Sequence, residues 1–452
     1  MKEFKILSPS GIVGYGFPEE SFRLGIAQKP DLIACDAGST DPGPYYLGSG
    51  VPFTNATAVK RDLRLMLKAA CELNIPLVIG SMGSSGTDVQ MERELATIRE
   101  IAKEENLAFK MAVISSEFEK ETLVEALHAG KIEKLGPAPM PTEADILEST
   151  HIVAQMGIEP IIRALDEGAQ VVICGRCYDP AAFAAPAIRL GYDQALALHL
   201  GKILECAAIC ATPGSASDCI MGYLGEDYFC VEPLNPARKC TPTSVSAHTL
   251  YEKTNPYILP GPGGHLDLSD CVFTADSDRR VRVTGSRFVP EAVPTVKLEG
   301  AKQAGCRTIS ICGNRDPIFI SQLDDILENV KKRTADNLSA DFEYRLDFIV
   351  YGKNGVMGAL EPQQEVTSHE VGIVIDVVAP TQEHANAVCA VARSTMLHYG
   401  YEGRIATAGN LAFPFSPSDM KVGPVYVFSV YALLRNEHPQ TLFTPVYEEV
   451  GQ

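Results

Sequence analysis

Over its first two hundred residues the chain repeats one unit: a short apolar run, a glycine-bearing polar loop, then a stretch of helical period. The runs are 5–8, 31–35, 75–79, 109–115 and 171–174, and the predicted helices start near Pro18 or cover about 57–73, 118–130 and 144–167. Strands joined by helices run parallel, and the helices cover both faces of the sheet. The expected fold is therefore α/β, with a mostly parallel sheet. Loops that follow parallel strands emerge on one edge, where open sheets of this kind bind ligands.

Three of those loops carry candidate chemistry. Asp36 opens a loop with Gly38, Ser39, Thr40 and Asp41. Gly80-Ser81-Met82-Gly83-Ser84-Ser85-Gly86 precedes a helix, and its N–H groups predict an anion cradle, although the Gly-Lys-Ser/Thr of a phosphate loop is missing. Cys174-Gly-Arg176-Cys177-Tyr-Asp179-Pro180 joins a buried strand to a helix expected to run to about Leu200. Arg176 is the only guanidinium among the three loops and fits bidentate carboxylate recognition. The Cys-x-x-Cys spacing has no second pair to complete a zinc site, and no metal site is assigned.

Beyond Gly201 the period shortens to brief strands and turns. His248, Tyr251 and Glu252 share one face of a predicted capped helix, and His265 follows a glycine-rich turn. From about residue 286 the pattern becomes strand–helix–strand–strand–helix–strand, the ferredoxin-like order. Two domains are expected, 1–285 with the site and 286–452 as the smaller α+β part. The segment Ile311-Cys-Gly-Asn-Arg315-Asp316-Pro317 echoes the arginine loop at 173–180, a match too short to claim a repeat.

The net charge of −18 speaks against nucleic acid or an anionic membrane as a partner. It leaves room for an anionic small molecule in a local basic pocket. No apolar run reaches membrane-spanning length, and the first residues read as a strand rather than a signal core, so a cytoplasmic location is expected. Thirteen cysteines in a reducing compartment are expected to serve as small buried hydrophobes. Strand edges in the C-terminal part that need covering predict a homo-oligomer.

Residues 34–50, 79–86, 174–187, 240–252 and 261–267 resemble the acyclic terpene utilisation, AtuA-like, family, and the likeness runs on to Gly409-Asn-Leu-Ala-Phe-Pro414. The resemblance implies a bacterial catabolic protein linked to branched acyl-CoA compounds and other carboxylic acids. It carries over no catalytic residue set and no cofactor, and the cofactor stays unknown.

These readings converge on a catabolic enzyme acting on a small branched carboxylate or its acyl-CoA thioester by lyase or hydratase acid–base chemistry. Asp36, Asp179, His248, Tyr251 and His265 are the catalytic candidates. Arg176, Gly80, Ser81, Gly83, Ser84, Gly86, Ser39 and Thr40 are the substrate-binding ones. Metal-assisted chemistry on Asp36, Asp41, His265 and Asp267 is a second enzymatic reading. From another class comes a non-catalytic accessory subunit of the same kind of pathway.

Overall fold

A computed structural model describes residues 2–338 and 341–451. The chain forms two compact units, Met1–Lys302 with Phe428–Gln452, and Gln303–Val427. Residues 286–302 thus belong to the first unit, not to a domain beginning at 286. Strand Thr295–Asn314 explains it, since its first part pairs with His151–Ala154. The chain's last strand, Pro445–Val450, likewise pairs with Phe109–Ile114.

The first unit is α/β. Its ten-stranded sheet has a parallel centre, in the order Phe4–Ser8, Leu32–Asp36, Leu77–Gly80, Val171–Cys174, Phe109–Ile114. Antiparallel strands extend it on both sides: Ile220–Leu224, Phe229–Pro233, Val281–Thr284 and Val272–Ala275 beyond the first, Pro445–Val450 beyond the last. The sheet is therefore mixed rather than mostly parallel. The short-strand region after Gly201 supplies most of the antiparallel wing; local patterning places such strands in turns but does not reveal that they join the central sheet.

Alternate residues of the central strands feed two separate cores. Ile6, Ala34, Val78 and Val172 pack on one face, and Leu7, Ile33, Ile79 and Ile173 on the other. Helix Ala56–Leu73 covers the second face with Val59, Leu63, Met66 and Ala70. Helix Ala181–Arg189, buried along most of its length, lies on the first. Thr87 opens the helix Asp88–Glu105 through a reciprocal cap with Gln90.

Two predicted helices are interrupted. The stretch 144–167 contains strand His151–Ala154 between helices Glu143–Glu148 and Glu159–Asp166. The helix after Pro180 ends at Arg189 and restarts at Gln194, with Asp193 capping the second segment, Gln194–Leu204. The second unit has its own core, where Val330, Ile373, Ile375 and Val388 pack between helices Leu323–Leu338 and Gln382–Leu397 and the strands Arg345–Tyr351 and Val371–Ala379. Among the described residues no helix is long and apolar enough to cross a membrane.

Candidate active site

The parallel centre delivers three loops to one edge. Asp36 ends its strand in register with Gly80, and Ile79 is in register with Ile173 one residue before Cys174. The backbones interlock there. Ser81 and Met82 donate their N–H groups to the carbonyls of Gly175 and Cys174, and Ala37 donates to Gly80. A Cβ on Gly86 would lie 2.1 Å from the Arg176 nitrogen, so only glycine permits this approach.

Above this junction is a cavity of about 260 Å³. Its floor is acidic. Asp36, Asp179 and Glu205 each bring a carboxylate oxygen within 4.8 Å of the others, a spacing able to hold a divalent cation. Part of the counter-charge is already built in. Lys202 donates to Asp179 at 2.9 Å, to Glu205 at 2.5 Å and to Glu252 at 3.0 Å. The rim is largely apolar, with Ile12, Tyr15, Pro42, Ile209 and Tyr251 beside Ser39 and Asp41.

The three carboxylates have opposed protonation tendencies. Burial, then the Asp179 charge, pushes the Asp36 carboxyl well above the usual range. Burial and Asp179 do the same to Glu205. Burial also works against the Asp179 anion, but Lys202 and Arg176 outweigh it and hold that carboxyl below the usual range. One fixed anion thus sits between two proton-holding groups.

Arg176 does not reach the cavity. It is 2 % exposed, and its guanidinium bonds Glu299 at 2.7 Å, the Cys177 carbonyl at 3.0 Å and Ser81 Oγ at 3.3 Å, with Asp179 at 3.6 Å. Glu299 is fully buried between Arg176, Lys297 and the Thr40 hydroxyl. An anion clamp on Arg176 is therefore corrected to a buried ion pair with Glu299, because the guanidinium is buried and does not line the cavity. The Gly80–Gly86 cradle is corrected on similar grounds. From Ser81 to Thr87 the loop is buried, and Ser84, Ser85 and Thr87 donate inward to the Ser81 carbonyl and the Gln90 side chain. Gly83 and Gly86 serve backbone packing, and Ser81 bonds Arg176 and the Cys177 N–H.

The other predicted residues divide. Ser39 lines the cavity, whereas Thr40 faces Glu299. Tyr251 stands at the rim, 47 % exposed, its phenol pKa raised by a hydrogen bond to Glu252. His248 stacks under it, ring centroids 5.5 Å apart, and burial followed by Lys202 lowers it to about 4, a neutral imidazole. His265 lies on strand Gly264–Asp267 of a separate three-stranded sheet and does not line the cavity. Asp267 there pairs with Arg287, so the metal reading that joined Asp36 and Asp41 to His265 and Asp267 is not assembled.

Lys202, Glu205 and Glu299 were not predicted. Lys202 is a lone charge in a helix whose residues Ala195–Leu204 are all buried, and Glu205 follows three positions later on the same face. A single lysine inside an apolar helix was the available signal. Nothing local marks Glu299, which reaches the site through a strand pairing 146 positions from Val153.

The family model for the acyclic terpene utilisation family protein AtuA matches residues 55–219 and 233–421. No curated protein and no solved structure matches the chain.

Proposed function

The chain belongs to the AtuA family of acyclic terpene utilisation proteins, and from that premise we propose a catabolic enzyme that adds or removes water at a small branched carboxylate or its acyl-CoA thioester. Family membership implies a role in acyclic terpene utilisation. The acid–base chemistry rests on one observation: Asp36 and Glu205, both pushed toward protonation, share a cavity floor with the ionised Asp179. A raised carboxyl is matched to proton transfer near neutral pH, as an acid when protonated and as a strong base once it has lost the proton. Asp179 is too weak a base for that work; its charge tunes its two neighbours.

In dehydration, one member of the Asp36–Glu205 pair, ionised, accepts the proton at Cα. The other, protonated, gives its proton to the departing β-hydroxyl, which leaves as water. The pair ends with its proton exchanged, and hydration is the reverse. Ile12, Pro42 and Ile209 offer an apolar wall for a branched chain. A cavity of about 260 Å³ fits an acyl group and leaves a CoA moiety outside. Arg176, held by Glu299, positions Asp179 rather than touching substrate.

For Gln303–Val427 we read a ferredoxin-like module. Its support is the strand order Arg345–Tyr351, Val371–Ala379, Thr295–Asn314, Asp419–Arg435, with antiparallel pairs and a helix after the first and third strands in sequence.

The test is incubation of the purified full chain with branched β-hydroxyacyl-CoA and enoyl-CoA thioesters in D₂O, followed by mass spectrometry. Gain or loss of water, or deuterium at Cα, is expected. Asp36→Asn and Glu205→Gln should each lower the rate by about 10²–10⁴-fold while the melting midpoint stays near wild type. A wild-type chain that neither turns over nor exchanges any of them is a non-catalytic accessory subunit, and the enzymatic reading fails.

A further inference from the structure

The echo segment Ile311–Pro317 plays no part in the site above. In the second unit it again ends a strand, Thr295–Asn314, and opens a short helix, Pro317–Ser321. Its arginine is in a different state. Arg315 is exposed, and among the described residues its guanidinium makes no hydrogen bond or ion pair. It lines two adjoining cavities. One, of about 430 Å³, has an apolar wall of Ile311, Val371, Phe413 and Pro414. The other, of about 660 Å³, is more polar and includes Lys353 and His369.

We propose that Arg315 marks a second ligand site, for a small amphipathic anion whose carboxylate or phosphate head meets the guanidinium and whose chain lies along the apolar wall.

The charges around it support that assignment. Asp316, adjacent in sequence, does not neutralise Arg315. One of its oxygens caps the helix, accepting from the Ile318 N–H at 2.9 Å, and the other accepts from the Tyr401 hydroxyl at 2.5 Å. Lys353 is paired with Asp324. Arg315 is thus the uncompensated cation at the junction of a polar and an apolar space, and a planar guanidinium suits a carboxylate or phosphate head. Both volumes fall in the range of small-molecule sites. Two free acids oppose an anion there, Glu365 in the larger cavity and Glu370 at the edge of the smaller one.

Isothermal titration of the full chain with octanoate tests this, with octanol as the uncharged control. Wild type should bind octanoate, and Arg315→Ala should bind it at least about tenfold more weakly, the size of a lost charged hydrogen bond. Octanol should bind both proteins alike. Glu365→Gln should bind octanoate at least as tightly as wild type. Arg315 is exposed and unpaired, so an unchanged melting midpoint in Arg315→Ala shows that the fold is kept. The proposal is overturned by the absence of octanoate binding to wild type, by equal affinity in Arg315→Ala, or by weaker binding in Glu365→Gln. It also fails if Ile209→Asp, which puts a charge on the apolar wall of the first cavity, rather than Arg315→Ala, removes the binding, since the octanoate would then occupy that cavity.

Discussion

Two corners of this molecule are written in nearly the same letters. Ile173–Pro180 and Ile311–Pro317 both run from a strand through glycine, arginine and Asp-Pro into a helix. In the first, Arg176 is buried against Glu299 and Asp179 faces Lys202. In the second, Arg315 is exposed and Asp316 is taken up as a helix cap. Strand, turn and helix come from the local sequence in both. The work each charged side chain does is decided by what distant segments bring against it: Lys202 and Glu299 at the first corner, and at the second no carboxylate that bonds the arginine among the described residues.

The sharpest way to break this comparison is to remove each charge. Arg176→Met strips a buried cation from Glu299 and Asp179 and should destabilise the first unit by about 3 kcal/mol, the low end for a broken buried pair. Lys297 and Lys202 remain to limit the loss. Arg315→Met should stay within about 0.5 kcal/mol, as for surface changes generally. Urea unfolding monitored by a probe on each unit would show the difference, and equal losses would mean that the two arginines are equivalent.

The next effect is in pH. Burial would raise the Glu299 carboxyl, but Arg176 and then Lys297 outweigh it and lower it to about 2 from an ordinary 4.5. Its folded pKa lies below its unfolded one, so the stability it contributes is present above about 4.5 and is lost as pH falls toward about 2. Wild type and Arg315→Met should share that acid limb. In Arg176→Met it should flatten, because the main source of the shift is gone. Melting midpoints between pH 5 and pH 2 would show it as a reduced slope in one variant alone; these two limits bracket the window set by the shift.

How much of this was legible follows the same division. Apolar period and glycine-bearing loops placed the parallel strands, and parallel strands placed Asp36 and Asp179 on one edge, where they do meet. The helix bearing His248 ends at Thr249, so Tyr251 and Glu252 follow it in a turn rather than share its face as the period predicts; the Tyr251 ring nevertheless stacks on His248, and Tyr251 and Glu252 line the cavity. What local pattern could not carry was partner identity. Arg176 looked free because Glu299 arrives on a strand more than a hundred positions away. The Gly80–Gly86 loop looked like a cradle because its inward hydrogen bonds to Gln90 and to Gly175 depend on packing. The mixed wing of the sheet escaped for the same reason, since the pairing of Ile220–Leu224 with Phe4–Ser8 is a long-range choice between short strands.

The glycines at the two corners give a smaller contrast. A Cβ on Gly175 would meet Ser116 Oγ at 2.5 Å and the Gly86 carbonyl at 2.9 Å, whereas one on Gly313 would meet nothing closer than the Val371 carbonyl at 3.5 Å. Gly175→Ala should cost about 1–3 kcal/mol through overpacking. Gly313→Ala should be near neutral. Thermal melts of the two variants rank them, and a neutral Gly175→Ala would show that the loop junction under the cavity is looser than its contacts imply.

The smallest effect separates the two Asp-Pro steps. Asp316 accepts from the Ile318 N–H at the start of its helix, the bond an N-cap makes. Asp179 makes no such bond; Pro180 stands at the cap position of Ala181–Arg189 without a side-chain acceptor. Asp316→Ala should therefore cost about 1 kcal/mol, and Asp316→Asn only a few tenths, since asparagine caps about as well as aspartate. Neither should change turnover. At Asp179 the order inverts, because the charge and not the cap matters: burial does most to raise Asp36 and Glu205, and Asp179→Asn removes the fixed anion that adds to it. The alkaline limb of the pH–rate profile should then move to lower pH, where those two carboxyls lose their protons more readily. A profile unmoved by Asp179→Asn, with rate and stability changing only as in Asp316→Asn, would make both residues mere loop punctuation and erase the functional difference between the corners.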